Sequence, residues 1–207
     1  MLCAVASLMP AATTIDRIAA VVGKRVIKQS DIDRDVRVTQ FLNQQLPNYS
    51  IAIQKKSLER LIDQELIRAD MAMAGNTSHL ESEAKDLFDQ LVRDRFKGSQ
   101  QQLQGELHGR GLKEQQLLHQ LQWQLVVLRF IDQRFRAGVV VTEEEVHKYY
   151  DEHLAELSKT AGNHSFEALS PKIRENLEAE QVNRNFEEWL AQARKAALIQ
   201  YKVETLQ

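Results

Sequence analysis

Apolar residues recur at intervals of three and four along most of the chain, and this spacing is typical of amphipathic helices. The clearest pattern runs from Ser50 to Ala74, where Leu58, Ile62 and Leu66 repeat. Patterns of the same kind predict further helices at 30–47, 78–98, 112–135, 142–154 and 170–193. The sequence therefore predicts a mainly α, multi-helix fold.

Two other patterns predict β-structure near the ends of the chain. Ile18 to Val22 and Arg25 to Ile27 are short β-branched runs separated by Gly23-Lys24, and glycine first in a two-residue loop favours a type II′ hairpin. From Ile199 to Val203 apolar and polar residues alternate, as they do in a half-buried strand. Because a lone strand leaves its backbone groups unpaired, we expect this segment to pair with the hairpin.

The helix predicted from Leu112 to Phe135 is apolar around most of its circumference, with Val126 to Leu128 in succession. A helix of this kind is usually buried on all sides, although one face could instead serve a partner. We expect a core helix.

Proline and glycine residues predict two further boundaries. Ser170 followed by Pro171 is a frequent helix start, because proline is tolerated at the first helical position. Residues 99–104 predict a short helix. The glycines that follow, Gly105, Gly109 and Gly111, predict that it gives way to a loop or turn. Gly109-Arg-Gly111 lacks the strand and helix that flank a phosphate-binding loop, so we interpret it as a turn.

Composition favours the mainly α prediction, since the 207 residues include only 8 Gly and 3 Pro and leave few tight turns. We expect one domain over 13–207, with an N-terminal part at 13–157, a polar linker at 158–164, and a helix and strand at 165–207 that complete the core. The net charge of -2 provides no basic surface for phosphates, so we expect no nucleic-acid partner.

The first residues resemble part of a secretory leader. Met1 to Ala12 is apolar, carries no charge and ends in Pro-Ala-Ala, which is typical of a signal-peptide core and cleavage region. We expect export and a mature chain that begins near Thr13, and the leader is too short to span a bilayer. Its removal would also remove Cys3, the single cysteine, and leave a thiol-free protein suited to an oxidising compartment.

Two segments carry a family resemblance. Ile15 to Asp33 contains the hairpin and an acidic helix start, and Val141 to His153 reads Val-Thr-Glu-Glu-Glu-Val-His-Lys-Tyr-Tyr-Asp-Glu-His. Together they resemble the chaperone core of the SurA-like periplasmic family, in which the second segment usually leads into a parvulin prolyl-isomerase domain. Such a domain needs glycine-rich turns and histidines. After His153 this chain has one glycine, Gly162, and one histidine, His164, so we expect no isomerase activity.

Other candidate sites fail on their spacing. His147 and His153 point to different faces of one helix and make a poor metal pair. Glu143 to Glu145 suits a helix N-terminus, where negative charge is favourable, better than an acid/base cluster. Trp123 and Trp189 fall in apolar helical patterns, so we expect both in the core. We therefore expect a non-enzyme with no catalytic, cofactor or metal site, and the client-contact residues are not identifiable from sequence.

The resemblance implies an ATP-independent periplasmic chaperone that holds unfolded outer-membrane or secreted proteins through apolar surfaces. The alternative is a helical structural or assembly subunit that uses the same apolar helices to form a homodimer. A groove lined by side chains from several helices would favour the chaperone.

Overall fold

The computed structural model describes residues 16–73, 80–157 and 165–202. The predicted leader at 1–12, with Cys3, and the predicted linker at 158–164 lie outside these residues. The expected domain limits therefore stay predictions.

Within the described residues the chain forms three short strands and seven α-helices. The strands are β1 (Ile18–Val22), β2 (Arg25–Lys28) and β3 (Ile199–Tyr201). The helices are α1 (Gln29–Leu42), α2 (Ile51–Met73), α3 (Glu81–Phe96), α4 (Gln100–Gly109), α5 (Glu114–Ile131), α6 (Glu143–Leu157) and α7 (Phe166–Ala196). A π-helical turn at Asp132–Arg136 follows α5 directly. The mainly α prediction is confirmed.

The three strands form one antiparallel sheet in the order β2-β1-β3. Gly23 opens the hairpin turn with φ +57°, a conformation that glycine adopts without a side-chain clash. The C-terminal strand lies on the other side of β1, where Ala20 faces Tyr201 and the Lys202 N–H donates to the Ala19 carbonyl at 2.8 Å. The predicted pairing of the two ends of the chain is confirmed, with β3 ending at Tyr201.

Helix α1 ends at Leu42, before the predicted end near Pro47. The Gln45 N–H donates to the Gln40 carbonyl at 2.8 Å, and Gln44 adopts a left-handed φ of 55°. A hydrogen bond from an N–H to the carbonyl five residues earlier, together with a left-handed residue, commonly ends a helix, and both occur here. Residues 43–50 are consequently an irregular loop.

Helix α4 is longer than predicted and continues through Gly105 to Gly109. Leu103 and Leu107 lie one turn apart and are completely buried, so tertiary packing outweighs the low helix propensity of the intervening glycine. The expected turn follows at Gly111, where φ is +62°.

Helix α7 begins at Phe166, not at the predicted Ser170-Pro171. Ser165 is the N-cap, and its hydroxyl accepts a hydrogen bond from the Ala168 N–H at 3.3 Å. The added turn also places the Phe166 ring on the His147 imidazole of α6, with the ring centroids 3.6 Å apart. This contact and the competing cap move the helix start toward the N-terminus.

The apolar core has three parts, of which the closing cluster joins the sheet to α1, α2 and α7. We define the closing cluster by its buried members Ala19, Ala20, Val22, Ile27, Ile32, Val36, Leu58, Ile62 and Leu66. Leu190 and Ala193 of α7 and Ile199 and Tyr201 of β3 pack against it. A second part joins the end of α1 to α3, α4 and α5 around Phe41 and Phe88.

Polar contacts also fasten the C-terminal segment to α2. The Arg194 guanidinium donates to Asp63 Oδ1 and Glu59 Oε2, each at 2.6 Å. The Tyr201 hydroxyl donates to Glu59 Oε1 at 2.9 Å. We call these four residues the Arg194 clamp; they hold the last helix and strand on the core.

Candidate functional site

Helix α5 is not buried on all sides, and the core-helix prediction is only partly correct for its second half. Leu117, Leu121 and Phe130 are buried, but Leu125 to Val127 are only half-buried and Leu128 is 63% exposed. One face of the helix packs on α3 and α1, and Phe130 with its neighbours packs on α2 and α7, whereas Leu128 lies between these contacts and faces solvent. The apolar residues that suggested burial therefore contribute to a surface.

This surface lines a groove between α5, α7 and the start of α3, which we call the α5–α7 groove. Its volume is about 450 Å³. Its apolar lining comprises Leu80, Leu125, Leu128, Ile131, Ala179 and Val182. The lining thus comes from α5, α7 and the start of α3.

Charged side chains also line the α5–α7 groove, beside its apolar residues. Arg129 of α5 reaches Glu83 of α3 at 3.4 Å, and Arg136 pairs with Asp132 within the π-helical turn. All four side chains are exposed, so each ion pair contributes little to stability and can exchange for contacts with a ligand. The groove thus combines an apolar lining with a mixed-charge rim.

Next to the groove lies the third part of the core, an aromatic cluster, in which only Ile67, Met71 and Phe130 are buried. Around them pack the half-buried side chains Trp123, Val126, Val127, Ile131, Phe135, Phe186 and Trp189. The rings of Phe130 and Trp189 meet edge to face with centroids 5.4 Å apart. Each of these large side chains is therefore partly accessible to water.

The π-helical turn positions part of the aromatic cluster. Arg134 extends from the turn to Asp70 Oδ2 of α2 at 3.0 Å, and its guanidinium lies 5.5 Å from the centre of the Trp189 ring. The Phe135 ring from the same turn lies 5.8 Å from that of Phe186. A π-turn places side chains out of step with the preceding α-helix, so both residues reach α7.

A second cleft, of about 440 Å³, lies between α1, α2 and α5 beside β2, and it is polar. Gln64, Gln116 and His119 are among its lining residues, and Arg68 stacks over the Trp123 ring at 4.2 Å. Partial burial, followed by the nearby charge of Arg68, lowers the pKa of His119. The imidazole is consequently neutral at pH 7, and in the lining of this cleft polar residues outnumber apolar ones.

The two histidines of α6 have separate neighbours. His147 stacks on Phe166, whereas His153 stacks on Tyr149 with the ring centroids 4.0 Å apart. His153 Nδ1 also lies 2.9 Å from the Tyr149 carbonyl. Among the residues that the structure describes, no cluster of His, Cys, Asp or Glu could hold a metal ion.

The acidic run at Glu143 to Glu145 occupies the first turn of α6, as predicted for a helix start. The Glu145 carboxylate accepts one hydrogen bond from the Thr142 N–H at 2.8 Å and another from the Thr142 hydroxyl at 2.9 Å. These two hydrogen bonds lower the pKa of the Glu145 carboxyl. Glu143 pairs with Arg174 of α7. These carboxylates therefore cap α6 and hold it against α7.

Trp123 and Trp189 both pack on the aromatic cluster but remain half-buried, so the prediction that they lie in the core is only partly correct. The sequence did not identify the α5–α7 groove. The one available signal was the apolar circumference of α5, for which a partner-binding face had been the alternative interpretation.

The fold of this chain is similar to that of a solved structure of a SurA-like chaperone. It matches a solved structure from work on the virulence factor PEB4 and the periplasmic protein Cj1289, described as two structurally related SurA-like chaperones of Campylobacter jejuni. The TM-score is 0.57 at 12% sequence identity, and the match covers 90% of this chain and 99% of the other. No protein-family model and no curated protein matches the sequence. The resemblance expected from the sequence is confirmed as a shared fold.

Proposed function

We propose that this protein is an ATP-independent chaperone that holds unfolded polypeptide segments in the α5–α7 groove. One observation carries the proposal: a groove with an apolar lining from three helices, next to a half-buried aromatic cluster. Unfolded chains expose apolar and aromatic side chains, and such a surface shields them from water.

Release without an energy source requires weak contacts. The groove is open and its charged rim is exposed, so each client segment gains only part of the free energy of full burial. Several such contacts along one client chain add to a useful affinity, while each contact alone breaks readily. This geometry suits holding and release better than catalysis.

We further propose that the protein acts in the periplasm on outer-membrane or secreted proteins. The similarity to a SurA-like chaperone fold and the apolar segment at 1–12, which is predicted to be a leader, support this location. Barrel proteins in transit are suitable clients, because their strands alternate apolar and polar residues and aggregate readily in water. Within the described residues no helix is long and apolar enough to cross a membrane.

The test is suppression of aggregation of a denatured outer-membrane barrel protein, followed by light scattering without nucleotide. We expect suppression at near-stoichiometric amounts and a marked loss in Leu128→Lys. Val140→Lys is the matched control, because Val140 is 82% exposed and lies outside the groove. No suppression by the unsubstituted protein at several-fold excess contradicts the proposal.

Location at the groove is tested by photo-crosslinking. A photoreactive amino acid at Leu128 should capture the client, whereas the same group at Val140 should capture much less. Equal capture at both positions would show that the groove has no special part in binding.

The rival function, dimerisation through the same apolar surface, predicts a tight dimer. Size-exclusion chromatography with light scattering separates the two functions, because a homodimer buried across Leu128 would leave the groove closed to clients. Leu128→Lys would then produce a monomer, whereas a chaperone keeps its oligomeric state.

We also propose that the protein lacks prolyl-isomerase activity. A proline-peptide isomerisation assay at high protein concentration should show only the uncatalysed rate. Substantial catalysis would contradict both this proposal and the non-enzymatic mechanism.

A further inference from the structure

The second cleft, between α1, α2 and α5 beside β2, is lined by four glutamines, Gln64, Gln115, Gln116 and Gln120. We call it the glutamine cleft. Its volume of about 440 Å³ is large enough for a small organic molecule or for the end of a peptide. It shares no lining residue with the α5–α7 groove, so a ligand bound here occupies a separate site.

Gln64 leaves a buried hydrogen-bond donor on the wall of the glutamine cleft. The residue is only 7% exposed, and Arg68 donates to its Oε1 at 3.4 Å. Because a guanidinium has only donors, this contact identifies the amide oxygen and assigns the other end of the amide as the N–H₂ group. That Nε2 has no hydrogen-bond partner among the residues that the structure describes. Buried polar atoms are nearly always hydrogen-bonded, so this donor indicates an acceptor that the protein itself does not supply.

The carboxylates of the glutamine cleft are already paired within the fold. Asp35 accepts from the Ser57 hydroxyl at 2.6 Å and pairs with Arg60. Glu65 Oε1 accepts from Arg68 at 2.5 Å. The negative charges on the cleft wall are therefore compensated by guanidinium groups before any ligand binds.

Other lining residues repeat this pattern of engaged acceptors and spare donors. Asp31 pairs with Arg34 at 2.5 Å. Gln116 Oε1 accepts from the Lys113 N–H at 2.8 Å, and within the described part of the chain its Nε2 has no partner. The cleft consequently offers donors from two glutamine amides to an acceptor-rich ligand.

The balance of charge around the cleft is slightly positive. Partial burial, followed by the charges of Arg68 and Arg34, lowers the pKa of His119, so an added positive charge is disfavoured at this point. An anion is favoured there for the same reason. In the ion pairs of the cleft, four guanidinium groups meet three carboxylates; they are Arg25, Arg34, Arg60 and Arg68 against Asp31, Asp35 and Glu65.

The glutamine cleft also has an apolar part. Val26, Leu61 and Trp123 are among its lining residues, and Val26 is 47% exposed. Leu61 and Trp123 are half-buried, so part of each side chain is accessible. A ligand that combines an anionic acceptor with an apolar group can therefore contact both parts of the lining.

We propose that the glutamine cleft binds an organic carboxylate that carries an apolar group. Gln64 Nε2 donates to the carboxylate, Arg34 and Arg68 supply positive charge, and Trp123 contacts the apolar group. Two sources share this chemistry, the C-terminal residue of a polypeptide and a free carboxylic acid. The proposal does not depend on the α5–α7 groove, because the two sites have separate linings.

The test is isothermal titration calorimetry of the full chain with N-acetylphenylalanine in low-salt buffer, where charge contacts are least screened. We expect binding of the acid. N-acetylphenylalaninamide, which has no carboxylate, should bind about tenfold more weakly or worse, since hydrogen bonds to a charged acceptor are about twice as strong as those to a neutral one. Equal binding of the acid and the amide overturns the proposal.

The role of Gln64 is tested with Gln64→Leu, which removes the amide donor and keeps a side chain of similar size. We expect the acid to bind about tenfold more weakly, because one hydrogen bond to a charged group is lost. The matched control is Gln124→Leu, since Gln124 is exposed on α5 and lines neither the cleft nor the α5–α7 groove. Thermal unfolding checks that both variants are folded.

Arg34 provides a second variant at a site where substitution disturbs the core less, because its side chain is 47% exposed. Arg34→Gln should weaken binding of the acid by about threefold, as expected for a partly screened charge, whereas Arg34→Lys should retain most of it. Unchanged binding in both Gln64→Leu and Arg34→Gln overturns the proposal.

The source of the carboxylate is distinguished with a short peptide that ends in phenylalanine. Binding of the peptide at least as tight as that of N-acetylphenylalanine assigns the cleft to polypeptide chain ends. Binding of the free acid alone assigns it to small carboxylic acids. Absence of binding by both ligands, or equal binding of the peptide and its C-terminal amide, overturns the proposal.

Discussion

Helix α7 contributes to two apolar clusters that differ in how far they are buried. Its C-terminal turns place Leu190 and Ala193 against the closing cluster, where nine surrounding side chains are buried. One turn earlier, Phe186 and Trp189 pack on the aromatic cluster, where only three are buried. Residues of the same chemistry on one helix thus stabilise the fold in one place and remain available to a partner in the other.

The difference has a topological cause. The sheet, α1 and α2 surround the closing cluster, and the Arg194 clamp holds α7 and β3 over it. The aromatic cluster lies where α5 passes into the π-helical turn, and among the described elements α2 and α7 flank it. Apolar residues are therefore best interpreted together with the elements that cover them.

The largest effect should come from removing the closing segment. Deletion of residues 186–207 takes away β3 and the half-buried side chains of Phe186, Trp189 and Leu190, each of which contributes part of the about 1.5–3 kcal/mol that full burial provides. We expect loss of cooperative thermal unfolding, measured by circular dichroism. An unchanged melting temperature in the truncated protein would contradict the structural role of this segment.

The contrast between the clusters is next tested by one substitution in two places. Leu58→Ala in the closing cluster should lower the free energy of unfolding by about 2–5 kcal/mol, because it leaves a cavity in a completely buried site. Leu128→Ala at the groove should lower it by less than about 0.5 kcal/mol. Urea denaturation measures both, and equal losses would show that the groove is part of the core.

The Arg194 clamp should contribute less than the apolar contacts. Arg194→Ala removes hydrogen bonds to Glu59 and Asp63 and should lower the free energy of unfolding by about 2 kcal/mol. Arg184→Ala is the control, because Arg184 is exposed and its ion pair with Glu180 should be worth less than about 0.5 kcal/mol. If Arg194→Ala lowers the free energy of unfolding no more than Arg184→Ala does, the clamp does not stabilise the fold.

The smallest effect should be seen in the pH dependence of stability. Burial, followed by the hydrogen bond to Glu59, raises the pKa of Tyr201 above its ordinary value of 10.0. Because the folded state then holds the proton more tightly, this contribution is fully present below about pH 10 and is lost as the pH rises through the folded pKa. The unsubstituted protein should therefore lose stability more steeply above pH 10 than Tyr201→Phe. Parallel curves in alkaline urea titrations would contradict the burial of this phenol.

Elements with strong local signals were predicted correctly. The hairpin around Gly23, the helix at Ile51–Met73 and the pairing of β3 with β1 all depend on turn chemistry, periodicity and an unpaired strand. Boundaries were less reliable where two signals competed. Ser165 and Ser170 both offer a helix cap, and only the Phe166 contact with His147 favours the first.

The candidate sites were the least predictable part. The apolar circumference of α5 predicted a core helix, yet exposure of Leu128 depends on which neighbours lie opposite, and that is not a property of α5. Residues 43–47 were predicted as helix but form a loop. Their sequence does not reveal that the Gln40 side chain would bond to the Asn48 backbone.

By itself, the sequence determined the mainly α class, most of the elements and the closure of the sheet by the C-terminal strand. These depend on interactions between residues near in sequence or on a strand with a single available partner. Only the tertiary structure decided that part of α5 faces a groove and that the apolar side chains of residues 46–51 are exposed. Burial depends on distant segments, and the same apolar residue is core or surface according to what packs against it.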